Sequence, residues 1–226
     1  LLGDYIDRGP RNLDTLEMAR KAARITGAAG MTALMGNHEQ LALLAMLGNE
    51  HALHGWITNG GYDTWCELEA RIETPMRLPH DTGLIEKAFG GRNTRFLENL
   101  ESGKTIGDLR FVHAGIDPGQ DPDSFVATPW TAGPSATGWA WIRRPFLSHS
   151  GEWPDGRIVV HGHSPGLKRF VDDPLEAMEA LDRVRHCRRV NLDGGGFMTG
   201  VMPILRITPE DRTLSIAVDR DKARLD

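Results

Sequence analysis

The sequence predicts a single layered α/β domain that contains more than one sheet, and three features support this prediction. A strand, a helix and a second strand follow one another before residue 36; the apolar spacing of residues 50–103 is mostly helical; and short apolar runs separated by turn residues dominate from residue 103 onward. No linker-like tract divides the helix-rich part from the strand-rich part. We therefore expect residues 1–226 to form one domain.

The N-terminal unit places two loops at the same edge of a sheet. The apolar pair that opens LLGDYIDRGP (1–10) predicts the end of one strand, and MTALM (31–35) predicts a buried strand that ends at Gly36. Between them, NLDTLEMARKAARITGAAG (12–30) predicts a helix capped at Asn12, and HEQLALLAML (38–47) predicts a further helix closed by Gly48. The loops after parallel strands lie at their carboxyl edge, where open α/β sheets bind ligands.

The remaining elements follow in two groups. Helices are predicted over GYDTWCELEARI (61–72), TGLIEKAF (82–89) and NTRFLENL (93–100). Strands are predicted within KTIGDLRFVHAG (104–115), GRIVVHGHSP (156–165), RRVNLDGGG (188–196), GVMPILRIT (200–208) and TLSIAVD (213–219). Residues 117–156 are rich in proline and tryptophan and show weak periodicity, so we expect a long, partly ordered loop region there.

Composition argues against several classes of protein. The net charge is −5, and the short basic run RVRHCRR (183–189) is typical of a solvated face, so neither nucleic acid nor a membrane is an expected partner. Cys66 and Cys187 are far apart and give no disulfide framework, which favours a cytoplasmic location. No apolar stretch approaches the roughly 18 residues of a membrane helix.

Four apolar runs end in a side chain that can ligate a metal, next to glycine. They are LLGDYIDRG with Asp4, GNHE with Asn37, RFVHAG with His113, and IVVHGHSP with His161 and His163. An isolated GNHE would more often be a turn with a satisfied histidine, but four such strand ends are unlikely to coincide by chance. Carboxylate, amide and imidazole ligands without cysteine suit manganese, iron or zinc. We therefore predict a divalent metal site.

Arg8 lies in the same segment as Asp4 and points to phosphoryl chemistry, because the planar guanidinium group of an arginine matches the geometry of phosphate oxygens. The motifs GDYIDRGP, GNHE, FVHAGIDPG and VVHGHSP, in this order, resemble the motif series of the calcineurin-like metallophosphoesterases, in particular the bacterial type of the phosphoprotein (serine/threonine) phosphatase branch. GWITNGGYDTW and RRVNLDGGGFMTGVMPILRI are similar to segments of bacterial members. The resemblance implies an α/β/β/α sandwich of two mixed sheets flanked by helices.

The resemblance also implies a ligand set for two divalent ions, with manganese favoured and iron or zinc as alternatives. Asp4 matches the carboxylate that bridges the two ions, and Asn37 and His113 match ligands of the second ion. The glycine that precedes His163 aligns this histidine, rather than His161, with a further ligand of the second ion. An exchange of roles between these two histidines stays open.

Catalytic roles follow from the same resemblance. His38 matches the general acid that protonates the leaving oxygen, Asp7 matches the carboxylate that orients it, and Arg8 matches a phosphate clamp, while a metal-bridging hydroxide is the implied nucleophile. Arg143, in WAWIRRPF, is a candidate for a second phosphate contact, and the alternative is a surface arginine stacked on a tryptophan.

One family motif is missing, because the chain contains no Gly-Asp-x-His-Gly sequence. We therefore expect a remainder of a longer protein without its first strand and helix, with a complete second metal position and half of the first. The predicted function is hydrolysis of phosphomonoesters on phosphorylated protein or small phosphate esters. Two alternatives stay open: hydrolysis of diadenosine tetraphosphate, and a non-catalytic fold that binds a metal or a phosphorylated partner.

Overall fold

A computed structural model describes residues 1–77, 82–166, 188–208 and 212–218. Its helices are α1 (Asn12–Arg20), α2 (Ala22–Thr26), α3 (Asn37–Met46), α4 (Glu50–Trp56), α5 (Tyr62–Ile72), α6 (Thr82–Phe89), α7 (Gly91–Glu98), α8 (Pro122–Val126) and α9 (Gly196–Thr199). Its strands are β1 (Gly103–Ile106), β2 (Leu109–Val112), β3 (Ile158–His161), β4 (Arg189–Asn191), β5 (Val201–Ile207) and β6 (Arg212–Val218). A π-helical turn at Ile57–Gly61 joins α4 to α5.

The strands form a four-stranded mixed sheet in the order β1-β2-β3-β4 and a separate pair, β5-β6. Strands β1 and β2 are antiparallel, whereas β3 runs parallel to both β2 and β4, with Leu109 opposite Ile158 and Val159 opposite Arg189. The predicted α/β fold is confirmed. In the described residues the second sheet consists of β5 and β6 and is antiparallel rather than mixed.

The predicted N-terminal strands are present only as single backbone contacts and not as regular strands. The Leu1 carbonyl accepts the Leu34 N–H at 3.0 Å, and on the other side Met35 donates to the Glu101 carbonyl at 2.8 Å. Leu34 and Glu101 form a parallel bridge. The predicted strand over 31–35 is therefore extended and paired on both sides at single residues, since the chain turns away at Gly3, where φ is +97°.

The predicted helix over 12–30 is divided, and its capping differs from the prediction. A break at Lys21 separates α1, which buries Leu16, from α2, which has no buried residue. Asn12 lies inside the helix instead of capping it. The first-turn N–H groups of Asn12 and Leu13 donate to the Glu67 carboxylate of α5 at 2.6 and 2.9 Å, so a neighbouring helix satisfies the helix start.

The segment 117–156 is better ordered than the sequence predicts. Phe146 and Trp153 are buried and stacked, with ring centroids 5.1 Å apart, and the indole N–H of Trp139 donates to the Thr128 carbonyl at 2.8 Å. Individual aromatic side chains with dedicated partners therefore replace helical or strand periodicity as the source of order.

Other sequence predictions fall partly outside the described ranges. Most of the basic run 183–189, including Cys187, lies there, while Cys66 is an exposed free thiol. Within the described ranges, none of the helices combines the length and the apolar character needed to cross a membrane.

Candidate metal and phosphate site

The predicted ligands meet where the first turn of α3 faces the loop 3–8 and the carboxyl ends of β2 and β3. Asn37 begins α3, His113 follows the last residue of β2, and His163 lies two residues beyond β3. One donor atom each from Asp4, His113 and His163 lie within 4.8 Å of one another. Side chains from distant parts of the chain thus converge on one point.

The spacing of the donor atoms fits a single ion. The Asn37 Oδ1 atom is 2.9 Å from His163 Nδ1 and 3.2 Å from His113 Nε2, which is itself 3.3 Å from Asp4 Oδ1. Two ligands about 2.1 Å from a shared ion, at a right angle to each other, are about 3 Å apart. These four side chains therefore have the separations of neighbouring ligands.

The hydrogen bonding of His113 supports a cation at this point. Its Nδ1 lies 2.7 Å from the Leu2 carbonyl, which can only accept, so Nδ1 carries a hydrogen. In the neutral ring, Nε2 then directs a lone pair at the oxygens of Asn37 and Asp4. Three acceptors that face one another repel unless a proton or a metal ion lies between them. A carbonyl behind the ring is also the usual support of a metal-binding histidine.

The two histidines of VVHGHSP have different surroundings. Burial, with a smaller contribution from the charge of Arg143, lowers the pKa of His163 to about 3, so its ring is neutral and can ligate a metal. His161 is fully buried, packs edge-on against Phe146 with centroids 4.8 Å apart, and has Nδ1 3.0 Å from the Gly162 carbonyl. The donor cluster contains His163, and His161 lies outside it.

A second polar pair lies beside the donor cluster. His38 Nδ1 is 2.6 Å from Asp7 Oδ2, and Asp7 also accepts the Trp56 indole N–H at 2.9 Å and the Thr64 hydroxyl at 2.6 Å. Burial lowers the pKa of His38, but the charges of Asp4 and Asp7 outweigh burial, and the net pKa is raised. No role was predicted for Trp56 or Thr64, although both lie in GWITNGGYDTW, the segment that is similar to bacterial family members.

Arg8 is exposed and held in a fixed position by its surroundings. Its backbone N–H donates to the Gly60 carbonyl at 3.1 Å, its Nε donates to the Asn59 carbonyl at 3.2 Å, and its guanidinium lies 5.0 Å from the ring centre of Phe197. Arg143 is also exposed, and its charge acts on His163. Two cationic side chains therefore lie on the solvent side of this region.

The loop that carries Asp4, Asp7 and Arg8 has an unusual backbone, because all three residues have φ between +57° and +79°. The buried carboxylate of Glu39 holds this loop. It accepts the N–H groups of Asp4 at 2.8 Å and Tyr5 at 2.7 Å, together with those of the next residue and of Gly36. Burial, with the charge of Asp4, raises the pKa of Glu39 to about 7.

Sequence analysis assigned no role to Glu39, although GNHE contains it, or to Asp193 in the loop after β4. The Asp193 carboxylate accepts the Gly195 N–H at 2.8 Å. Burial raises the pKa of Asp193, and Asp4 lies close enough to act in the same direction. An acid within NLDGGG, directly after a strand, was the available signal.

Close approach of the backbone and of a histidine ring explains the glycine at position 3. A Cβ on Gly3 would lie 2.7 Å from both the Gly36 nitrogen and His113 Nδ1. Only glycine therefore lets the Asp4 loop lie directly against the start of α3.

Comparison with known proteins places this geometry in context. Serine/threonine-protein phosphatase 1 of Salmonella typhimurium (strain LT2) is 43% identical over 69 residues, which is 30% of this chain and 27% of that protein. The crystal structure of a mutant cold-active protein tyrosine phosphatase aligns with a TM-score of 0.56 at 18% identity, covering 95% of this chain and 68% of that one, and this likeness shows the fold alone. A metallophosphoesterase from Sphaerobacter thermophilus aligns with a TM-score of 0.42 at 14% identity, covering 96% and 75%.

The curated relative is matched over about a quarter of its own length. The profile of the family described as "Calcineurin-like phosphoesterase" matches residues 1–185, which is most of the chain. This family consists of metal-dependent phosphoric ester hydrolases that use a dinuclear centre, in agreement with the donor cluster at Asp4, His113 and His163. The chain belongs to the calcineurin-like phosphoesterase family.

Proposed function

We propose that this protein hydrolyses phosphomonoesters in the manner of a bacterial serine/threonine phosphatase, with phosphorylated proteins or small phosphate esters as substrates and two divalent ions, manganese being favoured, as cofactors. The observation that carries the proposal is the donor cluster of Asp4, His113 and His163 directly beside the buried Asp7–His38 pair. The partial match to a serine/threonine-protein phosphatase supports the substrate class.

In this proposal Asp4, Asn37, His113 and His163 hold one ion, and the partly exposed carboxylate of Asp4 is available to a second. Divalent ions at this position would supply a water of lowered pKa and positive charge for the phosphoryl oxygens. Arg8 and Arg143 bind the substrate phosphate, since both are exposed cations on this face.

His38 provides the proton for the leaving group. Asp7 accepts the hydrogen on Nδ1, which fixes the ring and leaves Nε2 as the nitrogen that releases a proton. As the oxygen of a water-derived hydroxide forms a new bond to phosphorus, the bond between phosphorus and the ester oxygen breaks, and the ester oxygen takes the proton from Nε2. Trp56 and Thr64 keep the Asp7 carboxylate in place through the donors that they direct at it.

The test is product analysis after p-nitrophenyl phosphate, a phosphothreonine peptide and diadenosine tetraphosphate are each incubated with the manganese-loaded protein. His38→Asn is expected to lower kcat by about 10²- to 10⁴-fold. The matched control is His51→Asn, since His51 is exposed on α4. Nucleoside diphosphate as the preferred product would assign the dinucleotide alternative. Manganese binding without hydrolysis of any of the three substrates would refute the catalytic proposal and favour a binding role.

A further inference from the structure

The two imidazoles of the donor cluster are oriented in different ways. The ring of His113 is fixed from behind, because its Nδ1 lies 2.7 Å from the Leu2 carbonyl. The ring of His163 has Asn37 on its Nδ1, but its buried Nε2 has no hydrogen-bond partner among the residues that the structure describes. His163 also has a left-handed backbone, with φ at +64°. Packing must therefore supply the orientation that hydrogen bonding gives His113.

The side chain of Trp141 supplies that packing. Its ring meets the ring of His163 edge-on, with centroids 6.4 Å apart and an interplanar angle of 71°. His163 also contacts the His113 ring, with the two centroids 5.1 Å apart. The His163 ring thus has two other rings as neighbours, and rotation about its Cβ–Cγ bond is limited as long as Trp141 stays in place.

Trp141 is held in turn by a buried glutamine. Its indole N–H donates to Gln40 Oε1 at 2.7 Å, and Gln40 Nε2 donates to the Trp130 carbonyl at 2.9 Å. Both hydrogen-bonding ends of the amide are therefore used, and Gln40 is only 3% exposed. A buried amide with both ends satisfied has one strongly preferred orientation.

The helix α3 brings these two supports together. Asn37 and Gln40 are three residues apart and lie on the same side of the helix, where one contacts His163 directly and the other reaches it through Trp141. The segment after β2 delivers Trp141, and the loop after β3 delivers His163. The first turn of α3 therefore contacts both His163 and Trp141.

We propose that Gln40 and Trp141 are positioning residues that hold the His163 ring in the orientation in which it binds the divalent ion. The inference rests on the proposed metal-dependent function and assigns two supports of its site. Neither residue contributes a ligand atom. Gln40 acts through Trp141, and Trp141 acts by packing.

The test measures the Kd for Mn²⁺ by calorimetry on the metal-free chain, without any substrate. Gln40→Met and Trp141→Phe each break the hydrogen bond between the two side chains while keeping most of their volume. Each is expected to weaken Mn²⁺ binding by about tenfold, the lower end of the range for groups that support metal ligands. The matched control is Gln120→Met, because Gln120 is exposed and its amide donates to Asp117. It should leave the Kd unchanged.

The double variant distinguishes this chain of support from two independent effects. If Gln40 acts through Trp141, the Kd of the double variant for Mn²⁺ equals that of the single variant with the higher Kd. If the two residues act independently, the fold-changes in Kd of the single variants multiply in the double variant. A purely structural role predicts a lower Tm of the metal-free protein with an unchanged Kd, and that result would overturn the proposal. Unaltered Mn²⁺ binding in both single variants would overturn it while leaving the proposed function intact. An unaltered protein that binds no Mn²⁺ would refute both, and one that binds Mn²⁺ without turnover would refute only the proposed function.

Discussion

Replacement of Glu39 by glutamine tests whether this carboxylate holds the loop that carries Asp4. One oxygen accepts the N–H groups of Asp4 and Gly36 at 2.8 and 2.9 Å, and the other accepts those of Tyr5 and Ile6 at 2.7 and 3.3 Å. Glutamine keeps the shape but replaces one of the oxygens with an NH₂ group. Whichever way the amide turns, two backbone N–H groups then face a donor instead of an acceptor.

The size of the effect follows from this count. A buried N–H group that loses its acceptor costs about 1–3 kcal/mol, so two such groups cost about 2–6 kcal/mol in the free energy of unfolding. Domains of this size have a total stability of about 5–15 kcal/mol. Glu39→Gln is therefore expected to remove a large fraction of it, and to weaken Mn²⁺ binding because Asp4 moves with the loop.

The assay is urea unfolding followed by tryptophan fluorescence, with the free energy of unfolding extrapolated to water. Glu86→Gln is the matched control, since it makes the same chemical change at an exposed position on α6 and should stay within about 0.5 kcal/mol of the unaltered protein. A loss below about 1 kcal/mol for Glu39→Gln would refute the view that its four contacts hold the loop.

Three further changes test other parts of the structure. Gly60→Ala should displace the Arg8 side chain, because Gly60 has φ at +107° and a Cβ there would lie 2.6 Å from Arg8 Cγ. The KM for p-nitrophenyl phosphate should then rise by about tenfold, and an unchanged KM would show that Arg8 does not bind the phosphate. Thr64→Val removes the hydroxyl that donates to the Asp7 carboxylate and accepts the Asp7 N–H, so we expect a loss of about 1–3 kcal/mol in urea unfolding, and a value under 0.5 would contradict the assigned contacts. Burial raises the pKa of Asp155, but hydrogen bonds from two arginines outweigh burial, so the pKa in the folded protein lies below the unfolded value of about 3.9. The stabilisation by Asp155 is therefore present above about pH 4 and is lost as the pH falls through the folded pKa. Asp155→Asn should accordingly flatten the fall in Tm between about pH 4 and pH 2.

The sequence was sufficient to predict which side chains form the donor cluster because each of them follows an apolar run. Asp4, Asn37 and His113 lie at the ends of segments whose burial is encoded locally, and parallel pairing brings such ends to one edge. The local sequence pattern therefore predicts the members of the donor cluster.

The supports of the site are encoded in a different way. Trp56 and Thr64 contact Asp7 from 49 and 57 residues away, and Glu67 caps α1 from 55 residues away. These contacts depend on how helices pack, and no periodicity or spacing in the sequence reports that. The same holds for 117–156, where Trp139 gains its order from one specific carbonyl rather than from a repeated pattern.

The four residues Asn37, His38, Glu39 and Gln40 explain why α3 has no solvent face. Consecutive residues of an α-helix point about 100° apart, so four of them point to every side of the helix. Asn37 contacts the imidazoles, His38 contacts Asp7, Glu39 accepts the loop N–H groups, and Gln40 holds Trp141. A helix whose side chains contact other residues on every side is enclosed by those residues. Every residue of α3 from 37 to 45 is accordingly buried. The contacts of the first turn keep the whole helix inside the protein, and a buried helix is apolar on all sides. The leucines and alanines of the later turns of α3 are explained in this way.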